Sequence, residues 1–167
     1  MRLLAAIFAF LALSTIAISS VAGSEYLNIN EVTMRLEDDN ATFELNYTLD
    51  TFTRFYVTAL GCRYLEPELI SFLGGYSDVK LIKADTYGAA LQVLGAGRYN
   101  SGYYLFDSMP FGSKDKPLKE GIARFLVVYP GGRVRTFYNV TATQNVFSQA
   151  AKPLATPAKQ KASKKQG

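Results

Sequence analysis

The stretch Ile122–Val140, IARFLVVYPGGRVRTFYNV, decides how this chain is read. Two β-rich runs flank Pro130, Gly131 and Gly132, and a Gly-Gly pair tolerates positive φ at both central positions of a tight hairpin. A two-residue Gly131-Gly132 loop is expected to set Val128 opposite Arg135, Leu126 opposite Phe137 and Arg124 opposite Asn139. One face then carries Ala123, Phe125, Val127, Tyr129, Val134, Tyr138 and Val140. The other carries Arg124, Arg133, Arg135 and Asn139, with Ile122, Leu126, Val128 and Phe137 among them. A three-residue loop would slip the register by one and mix the two sets.

A second hairpin lies upstream. Val32, Met34 and Leu36 alternate with polar residues, as do Phe43, Leu45, Tyr47 and Leu49, around an Asp38-Asp39-Asn40-Ala41 turn. Pairing Leu36 with Phe43 also pairs Met34 with Leu45 and Val32 with Tyr47, and sets Arg35 directly against Glu44 on the other face. Further arms run over Val79–Ala84 and Ala89–Leu94, followed by a short aromatic strand at Tyr103–Asp107.

Between the hairpins the period changes. Phe52, Phe55, Tyr56, Ala59 and Leu60 fall at helical spacing, with Asp50 or Thr51 to cap the start and Gly61 to end it. Glu66-Pro67-Glu68 opens a second helix, with proline in the first turn and acids at the positive end of the dipole. The expected class is α+β: an antiparallel sheet of hairpins with two short helices on one face. The alternative is an all-β sandwich with residues 51–60 as a strand.

The ends differ in composition from the middle. Met1-Arg2, the apolar run Leu3–Ile18 and the small residues Ser19–Ser24 match a secretory signal, with cleavage expected after Ala22 or Gly23. An uncleaved anchor is the alternative, since Leu3–Ala22 approaches the length that spans a bilayer. Residues 1–23 are thus read as signal peptide or N-terminal anchor, 24–149 as one domain, and 150–167 as a disordered lysine-rich tail. The tail holds Lys152, Lys159, Lys161, Lys164 and Lys165 and no acid. Of the 18 basic residues, these five and Arg2 lie outside the body, which keeps 12 against 14 acids. The basic character of the chain therefore belongs to the tail. Such a tail is expected to touch anionic surfaces weakly, without specific nucleic-acid recognition.

Chemistry is bounded by elimination. The chain has no His, so Ser-His-Asp and Cys-His arrangements cannot form. Cys62 is the single cysteine, which excludes an intrachain disulfide and a thiolate metal cage, and it is expected to be a small buried residue. Ser113-Lys114-Asp115-Lys116 has S-x-x-K spacing but lies in a loop between Gly112 and Pro117. Glu66 and Glu68 stand two apart on one helix, while Asp50, Asp85 and Asp107 sit where caps and turns need them. Gly95-Ala96-Gly97 lacks the third glycine of a dinucleotide loop. No catalytic, cofactor or metal residue is expected.

Binding and modification signals survive that elimination. Asn40-Ala41-Thr42, Asn46-Tyr47-Thr48 and Asn139-Val140-Thr141 are three glycosylation triplets, with Asn40 in a turn and the other two on polar faces. Arg98, Tyr99 and Tyr103 mix aromatic and polar groups, a combination that stacks on sugars or on another protein. The expected function is an exported, non-catalytic envelope or extracellular domain that binds a cell-surface polymer or protein, or has a structural role. The alternative is an exported carboxylate-dependent hydrolase acting on glycans.

Overall fold

The computed structural model describes residues 26–113 and 115–150. Sheet sets the architecture, with 51% of the described residues in strands and bridges and 17% in helices. Strands β1 (Leu27–Glu37), β2 (Asn40–Leu49), β3 (Val79–Ala84), β4 (Gly88–Val93), β7 (Ile122–Val128) and β8 (Val134–Val140) form a six-stranded sheet in the order β3-β4-β2-β1-β7-β8. Strands β5 (Gly97–Asn100), β6 (Tyr103–Phe106) and β9 (Val146–Gln149) form a second, three-stranded sheet. Helix α1 spans Thr51–Leu60, a 3-10 turn follows at Cys62–Leu65, and α2 spans Glu66–Phe72. Residues 51–60 are helical, which overturns their reading as a strand. Pairing is antiparallel except between β1 and β7, which run parallel, so the large sheet is mixed and not built of hairpins alone.

The core lies against one face of the large sheet. Val32, Met34 and Leu36 of β1 and Ala41, Phe43, Leu45, Tyr47 and Leu49 of β2 are buried on that face, as the alternation requires. Leu69, Phe72 and Leu73 at α2, Leu65 of the 3-10 turn, and Phe106 and Val146 of the small sheet join the same cluster. Phe111 links the layers: its ring stacks on Phe72 at 5.0 Å and meets Phe125 of β7 edge-on at 5.8 Å.

The first hairpin keeps its expected faces but not its partners. Met34 pairs with Phe43 and Leu36 with Ala41, two positions from the expected register. The loop is only Asp38-Asp39, with Asp38 at φ +52, a left-handed conformation that Asp tolerates. A slip of two returns every side chain to the same face, so the core is unaffected. Arg35 and Glu44 still meet at 2.9 Å, now diagonally across the strands.

The Ile122–Val140 hairpin departs by one position. Val128 pairs with Val134, Leu126 with Thr136 and Arg124 with Tyr138. Tyr129 N–H donates to Arg133 O at 2.8 Å, so Pro130-Gly131-Gly132 is a three-residue loop. The reason is turn chemistry. Pro130 occupies the second position and Gly131, at φ +88, the third position of a turn closed by Gly132 N–H to Tyr129 O at 3.0 Å. Those are the requirements of a type II turn, and the Pro-Gly signal outweighs the Gly-Gly one. Val134 and Tyr138 consequently face outward with Arg124, and Ala123 is exposed as well. Phe137 instead stands across from Phe125, 6.0 Å between rings.

Helix α1 has the expected caps and an unexpected orientation. Asp50 accepts from the Phe52 and Thr53 amides at 2.8 and 3.1 Å, and its other oxygen accepts from Thr53 Oγ1 at 2.6 Å. Thr53 and Val57 are the residues that α1 buries. At about 100° per residue, the Phe52–Phe55–Tyr56–Ala59–Leu60 stripe is centred roughly 110° away from them. Phe52, Phe55 and Leu60 are 80%, 70% and 72% exposed. The stripe marks one side of the helix, but that side looks away from the core.

Two polar anchors fix the β3–β4 turn. The buried Tyr47 hydroxyl donates to the carbonyls of Asp85 and Gly88, at 2.6 and 3.0 Å. Burial, with the Asp85 carboxylate nearby, holds this hydroxyl above the usual tyrosine range. The Asp85 carboxylate accepts from the Tyr87 and Gly88 amides, each at 2.8 Å. The Tyr87 amide first, then the Gly88 amide and Lys83, hold Asp85 below the usual carboxylate range, and the Thr53 hydroxyl does the same for Asp50.

Three outcomes check this fold. Val57→Ser should lower the unfolding free energy by about 1.5–3 kcal/mol in denaturant titration, and Phe55→Ser should change it by no more than about 0.5 kcal/mol. Tyr47→Phe leaves the Asp85 carbonyl without the hydroxyl donor, while the Gly88 carbonyl keeps the Asp85 amide at 2.8 Å, and should cost about 1–3 kcal/mol. Asp50 and Asp85 titrate lower in the folded chain than in the unfolded one. Their stabilisation is therefore complete above the ordinary carboxylate pKa of about 4 and is lost as pH falls through the depressed values. Melting temperature against pH should decline in that window, and Asp85→Asn should flatten the decline.

Candidate binding surface

The small sheet has strands of only four residues each, and it is held at both ends. Gly97 N–H donates to Asp39 O at 2.8 Å, which ties β5 to the first hairpin turn. Ala150 N–H donates to Gly102 O at 2.9 Å, which ties the end of β9 to the β5–β6 turn. Gly97 is needed for contact, since a side chain there would meet the Phe106 ring at 2.8 Å. Strand alternation gives the sheet two faces. Phe106, Val146 and Ser148 point to the core, and Gly97 lies with them.

The outer face is aromatic and polar. Registers place Arg98, Asn100, Tyr103, Leu105, Phe147 and Gln149 there. Tyr103 and Phe147 are 43% and 63% exposed and meet edge to face, with centroids 6.1 Å apart. Asn100, Ser101, Tyr103, Leu105 and Phe147 line a shallow depression of about 330 Å³. Ser101 Oγ donates to Asn100 Oδ1 at 3.0 Å, and Arg98 Nη2 donates to Asp107 Oδ2 at 2.8 Å beside it. Apolar ring edges flanked by a guanidinium, an amide and a hydroxyl suit a ligand that is itself amphipathic, with C–H faces and hydroxyl rims.

The residues read from sequence divide across this sheet. Arg98 and Tyr103 share the outer face. Tyr99 lies on the other side, against Tyr104 at 5.4 Å between rings. Phe147 was not legible beforehand, because Thr141–Gln149 carries no pattern beyond one aromatic among polar residues. Its signal is the pairing of β9 with β6, which sets Phe147 opposite Leu105 and diagonal to Tyr103.

A deeper cleft, of about 420 Å³, lies between the start of β1, α2 and the 112–121 loop. Glu68, Asp115 and Glu120 line it together with Lys116 and Lys119. Ser113 lies in a turn, where its hydroxyl accepts from the Lys116 amide at 3.1 Å. Lys114 lies outside the described residues. Asp50 is a cap, Asp85 a turn residue and Asp107 the partner of Arg98. Cys62 is half-buried against the core, more accessible than expected. Among the described residues no group of three or more His, Cys, Asp or Glu is placed to hold a metal ion.

The asparagine triplets have distinct settings. Asn46 is exposed on the outer face of the large sheet, where its Nδ2 donates to Glu31 at 3.2 Å. Glu31 also pairs there with Arg124. Asn139 is exposed on edge strand β8 at φ +51. Asn40 is half-buried, and its Oδ1 accepts from Gly95 N–H at 3.0 Å. Residues 1–23 and the tail lysines Lys152, Lys159, Lys161, Lys164 and Lys165 lie outside the described residues. Among the described residues no helix is long and apolar enough to cross a membrane. Compared with known protein families, with curated proteins and with solved structures, the chain matches none.

Proposed function

We propose that this chain is an exported, non-catalytic domain of the cell envelope or extracellular space, and that the outer face of its small sheet binds a glycan-like surface polymer. The observation that carries this reading is the exposed Tyr103–Phe147 pair beside Asn100, Ser101 and the Arg98–Asp107 ion pair. Aromatic rings are normally spent on the core, and here two stand in solvent around a concave surface. The layering supports an α+β domain over residues 24–149, with α2 and the small sheet on one face of the larger sheet. Residues 1–23 deliver the chain across a membrane, and the tail from 150 adds weak, salt-screened contact with anionic polymer. The exposure of Asn46 and Asn139 supports glycosylation there. At Asn40 a sugar on Nδ2 would leave Oδ1 bonded to Gly95.

A second reading rests on the cleft lined by Glu68, Asp115 and Glu120. A glycan hydrolase needs two carboxylates about 5–9 Å apart across its cleft. The small-sheet face has a defined ring pair and register, whereas the cleft acids share only a lining that also holds Lys116 and Lys119. The binding reading therefore comes first.

Full-length protein incubated with insoluble envelope polysaccharide should be retained without releasing new reducing ends. Tyr103→Ala and Phe147→Ala should each weaken retention about tenfold, an effect of about 1.4 kcal/mol. Tyr99→Ala, on the other face, should leave retention unchanged. Equal retention of all three variants would contradict the assignment, and reducing ends lost in Glu120→Gln would favour the hydrolase. Intact mass of the protein from its native cells should show added hexose that Asn46→Gln and Asn139→Gln diminish.

A further inference from the structure

The outward stripe of α1 has no role in the core or in the small sheet. Phe52, Phe55 and Leu60 are largely in solvent, and the aromatic surface continues past the helix end. Phe55 meets Tyr56 edge-on at 6.4 Å, and Tyr56 stacks on Tyr64 of the 3-10 turn, also at 6.4 Å. Helix α1 contains no acidic residue. Arg54 sits over the Tyr87 ring at 5.8 Å, and Arg63 is exposed beyond Gly61. Arg54 lies on the opposite side of the helix from the stripe. Aromatic and aliphatic side chains together on one side, with an exposed arginine past the helix end and no acid in the helix, is the composition of a helix lying in a membrane interface.

The chain path points to the same occupant. Asp50 N–H donates to Tyr26 O at 3.1 Å, so the chain enters the domain at the start of α1. Only residues 19–25 separate the apolar run Leu3–Ile18 from Tyr26. Seven residues span at most about 25 Å. When that run is retained as an anchor, the bilayer that receives it lies within reach of α1.

We propose that, in the form that keeps Leu3–Ile18 as an anchor, the outward face of α1 docks at the headgroup–acyl boundary of a lipid bilayer, with Phe52, Phe55, Tyr56 and Leu60 among the acyl ends and Arg63 on anionic headgroups. The domain then lies on the membrane surface with a fixed side toward it. This surface is separate from the Tyr103–Phe147 face, and either assignment stands if the other fails.

The chain has no tryptophan, so Phe55→Trp introduces a single fluorophore. The full chain carrying it is reconstituted in vesicles of phosphatidylcholine and phosphatidylglycerol. Emission should shift to the blue, and lipids brominated near the headgroup end of the acyl chain should quench it. The quenching should weaken as phosphatidylglycerol is removed or salt is raised. Leu60→Trp should report the same, and Tyr103→Trp should emit as in water with no quenching. Water-like emission from both α1 reporters would overturn the proposal. So would a blue shift without quenching, since that places the face against protein, such as a second copy of the chain, and not against lipid.

Discussion

The shared apolar face of β1 and β2 is the constraint on which the rest of the structure depends. Val32, Met34, Phe43 and Leu45 are fully or almost fully buried there, and every covering element ends on them or their neighbours. The helix α2, the Phe111 loop and the small sheet are each too short to be stable alone. They persist because a preformed sheet surface accepts their few large side chains. The parallel pairing of β1 with β7 extends that surface without a hairpin, bringing Phe125 and Val127 into the same layer.

How much of this was legible in the sequence follows from what each signal encodes. Alternation identified the buried face of β1 and β2, and a two-residue slip leaves the face unchanged, so the core was read correctly through an incorrect register. The hairpin around Pro130 had no such tolerance. There the Pro-Gly turn moved the pairing by one, and Val134 and Tyr138 were assigned to the wrong side. The parallel partner of β1 has no local signature, because residues about ninety apart in the chain create it. Strand β5 was read only as a patch, since Gly97–Asn100 is mostly polar and four residues long.

Helix α1 shows the limit of periodicity most clearly. Its caps and ends were legible from Asp50 and Gly61, and its apolar stripe was legible from spacing. Spacing specifies that apolar residues share a side, and tertiary packing decides what that side meets. Here the Asp50–Thr53 cap and Val57 hold the inner side, which leaves the aromatics outside. The same separation governs the small sheet, where β9 completes a surface that Tyr103 alone could not announce. Both surfaces break the usual correlation between aromatic content and burial, and this break is the physical basis for reading the molecule as a binding domain.

That reading requires two classes of aromatic ring in one small protein, some sealed and some in water. Hydroxyl-radical footprinting with mass spectrometry measures this side chain by side chain. In the free protein Tyr103 and Phe147 should oxidise rapidly while Phe43, Phe106 and Phe125 are protected, and envelope polymer should slow oxidation at Tyr103 and Phe147 alone. Tyr103 and Phe147 as protected as Phe43 in the free protein, or oxidised equally with and without polymer, would contradict the account.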